Sequence, residues 1–328
     1  MQLEQIRRIA VIGLGRMGHG IAQSFAMAGF PVRAFDANTE ARESTPDRIR
    51  SNLNAFVAND LISGNDVEPI LNRIKILESE ADAATDADFI VEAIAENREI
   101  KQDFFARIED VVEKTTIIAS NSSTFTISES CANMRDPRRA IVTHWFNPPH
   151  IVPTVEIVPG PETTDQITRT TIALHRKLGK QAVRVNAEIP GFLVNRVQMA
   201  MIREIWDLYE RGIASREDID AAIQGSLGFR LAVSGPLAVC DFGGIDIWST
   251  VYKRLVPELR NDSSVPDSIQ QLLNEGSLGP RSGRGIYEYD PATVDEISAK
   301  RDTAMLKLAK LVADDSSFQD APATGSKG

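Results

Sequence analysis

From Arg8 to about Asn186, short runs of β-branched and aliphatic side chains alternate with stretches whose apolar positions recur at helical spacing. In chain order the runs read IAVIGLG, VRAFD, DFIVEAI, TIIASNSS, AIVTHWF, TVEIV and QAVRV. They are apolar at consecutive rather than alternate positions, the pattern of strands covered on both faces. Strands separated by helices in this way predict an α/β fold with a doubly wound, mostly parallel sheet. A long polar helical segment, about 39–72, follows VRAFD where a short crossover would suffice. It predicts a helical hairpin projecting from the sheet, an insertion of the kind that covers a substrate. Beyond Pro190 the spacing stays helical and strand-like runs almost disappear through Val312, so a C-terminal all-helical domain is expected. The expected division is 1–187, 188–312 and a frayed tail, 313–328, rich in Ser, Asp, Ala, Gly and Pro.

Composition narrows the partners. Apolar content of 42% and charged content of 25% are those of an ordinary globular protein. The 36 basic and 46 acidic side chains give a net charge of −10 with no basic block. That balance excludes nucleic acid and anionic membrane as main partners and favours a small-molecule substrate. Cys131 and Cys240 are too few for a disulfide framework or a metal knuckle, which fits a reducing compartment. No apolar stretch approaches the roughly 20 residues that span a bilayer. The N-terminal apolar run is short and no cleavage pattern follows it, so a cytoplasmic location is expected.

IAVIGLGRMGHGIAQ places Gly13, Gly15 and Gly18 in G-x-G-x-x-G spacing after a strand and at the start of a helix. The first glycine permits the tight turn, the second lets backbone approach a pyrophosphate, and the third lets the helix pack closely. Arg16 and Met17, between the last two glycines, belong to the same candidate cofactor site. VRAFD ends in Asp36, about the ~20-residue distance at which an acid takes the ribose hydroxyls of a dinucleotide. Asp36 would repel a 2′-phosphate, and neither Ala37 nor Asn38 offers a cation for one, so NAD is the expected cofactor. A glycine turn followed by a solvated aspartate is the plainer alternative.

THWFNPPHIVPTVEIV sets polar residues into an apolar stretch. Oxidising an alcohol needs a hydride acceptor, a base for the hydroxyl proton, and a group that keeps the base in the right tautomer. His144 closes one strand-like run and Glu156 sits in the next. With the two runs side by side, Glu156 can accept the other ring N–H of His144 and stabilise the imidazolium formed in turnover. A lone strand histidine is more often a satisfied core residue, but a glutamate in an apolar strand also asks for a partner. His144, His150 and Glu156 as metal ligands are the alternative; the prolines at 148, 149 and 153 rule out a helical ligand pair, and no metal is expected.

GLGRMGHGIAQ, VEAIAEN, ASNSST, HWFNPP…VE and PGFLVNR, in this order, make the chain resemble the L-3-hydroxyacyl-CoA dehydrogenase family over about residues 6–312. The resemblance implies a Rossmann domain, a helical domain through which a homodimer forms, and oxidation of a secondary 3-hydroxyl to a ketone with NAD. It makes His144 the general base and Glu156 its orienting carboxylate. Ser123 and Asn195 match residues that hold the reacting oxygen, Ser123 also facing the cofactor. It puts Glu96 and Lys101 on the cofactor ribose and nicotinamide side and Asn147 at the nicotinamide. Arg281 stands where the family often has a lysine near the cofactor.

The chain departs from that pattern where acyl-CoA members offer serine and lysine to the CoA phosphates. No lysine precedes Lys75, and within the hairpin the stretch STPDRIRSNLNAFVANDLISGNDVEP, residues 44–69, carries Asp47, Asp60, Asp66 and Glu68 against Arg48 and Arg50. A phosphate-rich handle would meet few cations there. NPPHI resembles branches acting on small free acids: L-gulonate dehydrogenase with its lens-crystallin relative, carnitine dehydrogenase and a pyridine-carboxylate dehydrogenase. His150 is then a candidate substrate contact, with a solvated loop histidine as the plainer reading. The expectation is a dehydrogenase of a 3-hydroxyacyl-CoA or related hydroxy acid, the alternatives being a small non-CoA substrate or a non-catalytic NAD-binding crystallin-like protein.

Overall fold

A computed structural model describes residues 2–314, so nearly all of the tail expected over 313–328 lies outside the described residues. The chain divides into two compact units that meet at Arg196 and Val197.

The first unit is built on an eight-stranded sheet in the order β3-β2-β1-β4-β5-β6-β7-β8. The strands are β1 Ile9–Ile12, β2 Val32–Phe35, β3 Ile74–Ile76, β4 Phe89–Glu92, β5 Ile117–Ser120, β6 Ala140–Trp145, β7 Thr154–Pro159 and β8 Gln181–Arg184. Neighbours pair in parallel except β6 and β7, which are antiparallel. Strand alternation divides the core into two layers. Ile9, Val11, Val91 and Ile141 pack on one face with Phe25 and Trp145, while Ala10, Ile12, Ile90 and Val142 pack on the other with Phe104, Phe105 and Phe192. Burial on both faces is why these runs are continuously apolar. The strand order reverses between β1 and β4, and such a switch point opens a crevice at the carboxyl ends of the strands.

Two elements differ from the sequence expectation. β3 was not among the predicted runs: it is a three-residue edge strand with an exposed Lys75 at its centre, too short to carry a pattern. The hairpin, helix α2 (Thr39–Ala58) followed by the short α3 (Val67–Leu71), does not project. It packs on α1 (Gly18–Met27), because Ile49, Leu53, Val67 and Ile70 form an apolar stripe that joins the Phe25 layer. The crossovers that follow are α4 (Glu80–Ala84), α5 (Arg98–Glu109), α6 (Ile127–Ser130) and α7 (Asp165–Lys177).

α8 (Val194–Glu210) leaves the first unit and continues into the second. The second unit is helical among the described residues, with α9 Arg216–Ile223, α10 Phe229–Leu231, α11 Pro236–Gly243, α12 Ile245–Leu255, α13 Asp267–Asn274 and α14 Val294–Asp314. Its only strand pairing there is a pair of isolated bridges around Arg284. Among the described residues no helix is long and apolar enough to cross a membrane.

Candidate active site

The glycine loop between β1 and α1 sits in the switch-point crevice. Gly13 has φ +96°, and a Cβ there would lie 2.4 Å from Ala93 O, beyond β4. A Cβ on Gly18 would lie 1.7 Å from Gly13 O, whereas one on Gly15 would meet nothing within 4 Å. Gly13 and Gly18 are therefore fixed by packing, and Gly15 by the space in front of it. That space belongs to a cleft of about 640 Å³ whose walls include Gly13, Gly15, Arg16, Met17, Asp36 and Glu96. Among the described residues no side chain caps the N-terminus of α1, so its first N–H groups remain available to an anion. Asp36, at the end of β2, is held by the N–H groups of Leu14 (2.6 Å) and Asn38 (2.8 Å) while it lines the cleft. An open backbone cradle with an acid beside it fits the diphosphate and ribose of a dinucleotide.

Past β4 lies a polar cluster. Lys101 is 1% exposed, and its ammonium bonds Glu92 at 2.7 Å and Glu96 at 3.1 Å. The structure therefore places Lys101 beneath Glu96 and not in the cleft wall. Oε1 of Glu96 accepts from Ser122 Oγ (2.6 Å), Ser123 N (3.0 Å), Thr124 N (3.1 Å) and Thr124 Oγ1 (2.9 Å). Burial works to raise the Glu96 pKa, but Lys101 and these hydroxyls outweigh it and hold the carboxyl below its ordinary value. Glu92, fully buried, also takes Ser120 Oγ at 2.6 Å and Ile94 N at 2.9 Å. Sequence reading passed over Glu92, although a charge inside DFIVEAI was its signal.

His144 and Glu156 are directly opposite in the antiparallel β6–β7 pair. His144 Nδ1 donates to Glu156 Oε2 at 2.7 Å, both side chains being almost fully buried. A carboxylate only accepts, so the proton sits on Nδ1 and Nε2 of the neutral ring is left as an acceptor. The other oxygen, Oε1, accepts the N–H groups of Leu193 (3.0 Å) and Val194 (2.8 Å) where α8 begins. Gly191 (φ +76°) and Phe192 (φ +49°) turn the chain to aim those groups. A left-handed phenylalanine costs on the order of 1–3 kcal/mol, offset here by complete burial of its ring, 5.5 Å from that of His144. Asn195 follows at once, and its Nδ2 donates to Ser123 O at 3.2 Å. Asn121 Oδ1 accepts Trp145 N at 3.0 Å, tying the Ser122–Ser123 loop to the end of β6. The structure thus brings His144, Glu156, Asn195 and Ser123 into one connected group, with Ser123 in the wall of the cleft.

Asn147 is exposed in the turn after β6. His150 is neither a solvated loop residue nor part of the cleft wall. Its ring lies 6.3 Å from that of His19 and 6.1 Å from that of Phe56, with Nδ1 buried and unpartnered. Burial, with His19 and Lys180 nearby, pushes its pKa down to about 3 and leaves it neutral. Lys180 itself pins the turn by donating to Pro149 O (2.7 Å) and Val152 O (2.8 Å). Arg281 belongs to the second unit, in a short 3₁₀ turn, Pro280–Ser282. Among the described residues no three His, Cys, Asp or Glu side chains are grouped to hold a metal.

Comparison with known proteins accords with this arrangement. Residues 8–189 match the 3-hydroxyacyl-CoA dehydrogenase NAD-binding domain, and residues 191–289 match the C-terminal domain of the same family. Among curated relatives, 5-formyl-3-hydroxy-2-methylpyridine 4-carboxylate 5-dehydrogenase of Mesorhizobium japonicum is 33% identical over 94% of this chain and 98% of its own. A probable 3-hydroxybutyryl-CoA dehydrogenase of Bacillus subtilis is 36% identical over 88% of this chain and 99% of its own. A crystal structure of the pyridine-carboxylate 5-dehydrogenase, described as an NAD⁺-dependent dismutase, superposes with a TM-score of 0.88 at 32% identity, covering 94% of this chain and 99% of that one. With both of its domains matched, the chain belongs to the 3-hydroxyacyl-CoA dehydrogenase family and is an NAD-dependent oxidoreductase acting on a CH–OH group.

Proposed function

We propose that this protein oxidises a small free carboxylic acid carrying a CH–OH group, or a hydrated aldehyde, of the pyridine-carboxylate class and not a CoA thioester. The observation that carries this reading is the engagement of the hairpin's three arginines, of which Arg42 is bonded to Asp36 O and paired with Glu78. Arg50 is bound to Glu68 through both of its terminal nitrogens. Arg48 is drawn to the glycine loop, with Nη2 bonded to Leu14 O at 2.5 Å. None of the three is left to meet the phosphates of a CoA handle on that hairpin, and no lysine precedes Lys75.

His144 removes the hydroxyl proton at Nε2, and Glu156 stabilises the imidazolium that results. The Ser123 hydroxyl and the Asn195 amide hold the reacting oxygen as it becomes a carbonyl. When bound, NAD accepts the hydride. Gly13, Gly15, Arg16, Met17 and Gly18 cradle its diphosphate, Asp36 takes the adenosine ribose, and Glu96, backed by Lys101, takes the other ribose. Ser123 and Asn147 complete the nicotinamide side. The protein works in the cytoplasm as a homodimer through its helical domain, where Leu237, Phe242, Ile245 and Tyr252 expose large apolar surfaces.

The test measures NADH formation with pyridine-carboxylate aldehydes and alcohols, L-gulonate, L-carnitine and 3-hydroxybutyryl-CoA. A free acid is expected to give the highest kcat/KM, and a higher value for the CoA ester would overturn the proposal. The CoA ester remains the second reading because of the similarity to the Bacillus subtilis relative.

A further inference from the structure

Arg48 is a half-buried guanidinium whose bonding partners are all neutral. Nη2 donates to Leu14 O (2.5 Å), Thr45 Oγ1 (2.9 Å) and Ala41 O (3.3 Å), while Nη1 donates to Gly15 O (3.3 Å) and approaches His19 Nδ1 (3.4 Å). Nε is buried without a partner, and among the described residues no carboxylate lies within ion-pairing distance of the side chain. Burial lowers its pKa, with Asp36 the opposing charge. Cations drawn into protein are ordinarily matched by an anion. Here the protein supplies backbone carbonyls, and they belong to the glycine loop.

A trans peptide unit points its N–H opposite to its C=O. By binding Leu14 O, and Gly15 O together with His19 Nδ1 (2.8 Å), Arg48 helps turn the following N–H groups, those of Gly15 and Arg16, away from itself. Gly15 and Arg16 line the cleft, and the space before Gly15 is open. We infer that Arg48 is a positioning residue for the cofactor diphosphate. It sets the glycine-loop N–H groups toward that anion and supplies, one layer behind them, the positive charge that the anion neutralises. The inference rests on NAD as cofactor and is independent of the substrate.

The experiment compares ADP-ribose, which carries the diphosphate, with adenosine, which does not, by calorimetry on wild type, Arg48→Gln and Arg48→Lys. Arg48→Gln is expected to weaken ADP-ribose about tenfold and adenosine less than about twofold. It should also flatten the salt dependence of ADP-ribose binding, since one charge is gone. Arg48→Lys keeps the charge without the fork and is expected to fall between. Melting temperatures of the free variants show whether they fold; if the Gln variant does not, the Lys variant carries the comparison. Equal weakening of both ligands, or ADP-ribose affinity within twofold of wild type, overturns the inference.

Discussion

Replacing Glu156 by glutamine changes one oxygen for a nitrogen, and the surroundings dictate how the amide must turn. The two backbone N–H groups of Leu193 and Val194 require an acceptor, so the amide oxygen stays on them and the NH₂ faces His144 Nδ1. Nδ1 then becomes the acceptor and the ring proton moves to Nε2, the nitrogen that must receive the substrate proton. Every group of the original network keeps a bond, and the added cost is one unsatisfied amide hydrogen, about 1–3 kcal/mol for a fully buried site. The chain should therefore fold and bind NAD while its base is held in the wrong tautomer. Loss of general-base function of this kind corresponds to roughly 10²–10⁴ in kcat. Steady-state kinetics at saturating substrate, beside a thermal melt with and without NAD, separates the two effects. A folded Glu156→Gln protein that binds NAD and turns over within about fivefold of wild type would refute the tautomer argument.

The glycines give an opposed pair of outcomes. A Cβ at Gly15 meets nothing within 4 Å, so Gly15→Ala is expected to melt like wild type yet lose most of the stabilisation by NAD; Gly13→Ala, 2.4 Å from Ala93 O at φ +96°, is expected to melt lower even without ligand. His175 tests the acid limb of stability. It is fully buried among Trp145, Phe89 and Phe25, and burial pushes its pKa down to about 4. A depressed folded pKa means that the unfolded chain binds the proton first, so this stability is present above about pH 6.5 and lost as pH falls through 4. The loss between pH 7 and 4 is on the order of 3 kcal/mol, and His175→Phe should flatten the urea midpoint over that range; an unchanged slope would contradict the assignment.

The sheet was legible because strands buried on both faces must be apolar at every position, and the glycine loop because each glycine answers a steric demand visible in its spacing. The His144–Glu156 pair was legible as two anomalies that explain each other. β3 was not, since three residues at a sheet edge bury too little to leave a pattern. The hairpin's helices were legible, but whether they projected or lay flat depended on whether Ile49 and Leu53 would find the Phe25 layer. His150 shows the same limit: proline-rich context suggests an exposed loop, and only packing against Gly20, His19 and Phe56 puts it inside. The backbone donors of Leu193 and Val194 have no side-chain signature at all.

The antiparallel β6–β7 pair makes proton handling a matter of parity. Side chains alternate across a sheet with a period of two, so sliding β7 by one position would carry Glu156 to the opposite face and leave His144 facing an apolar neighbour. No intermediate geometry exists between a working and a broken relay. Residues inserted within the turn that leave the register intact can reshape what borders the base without touching its partner. A change in what borders the base can thus be built in the turn while the two strands stay locked.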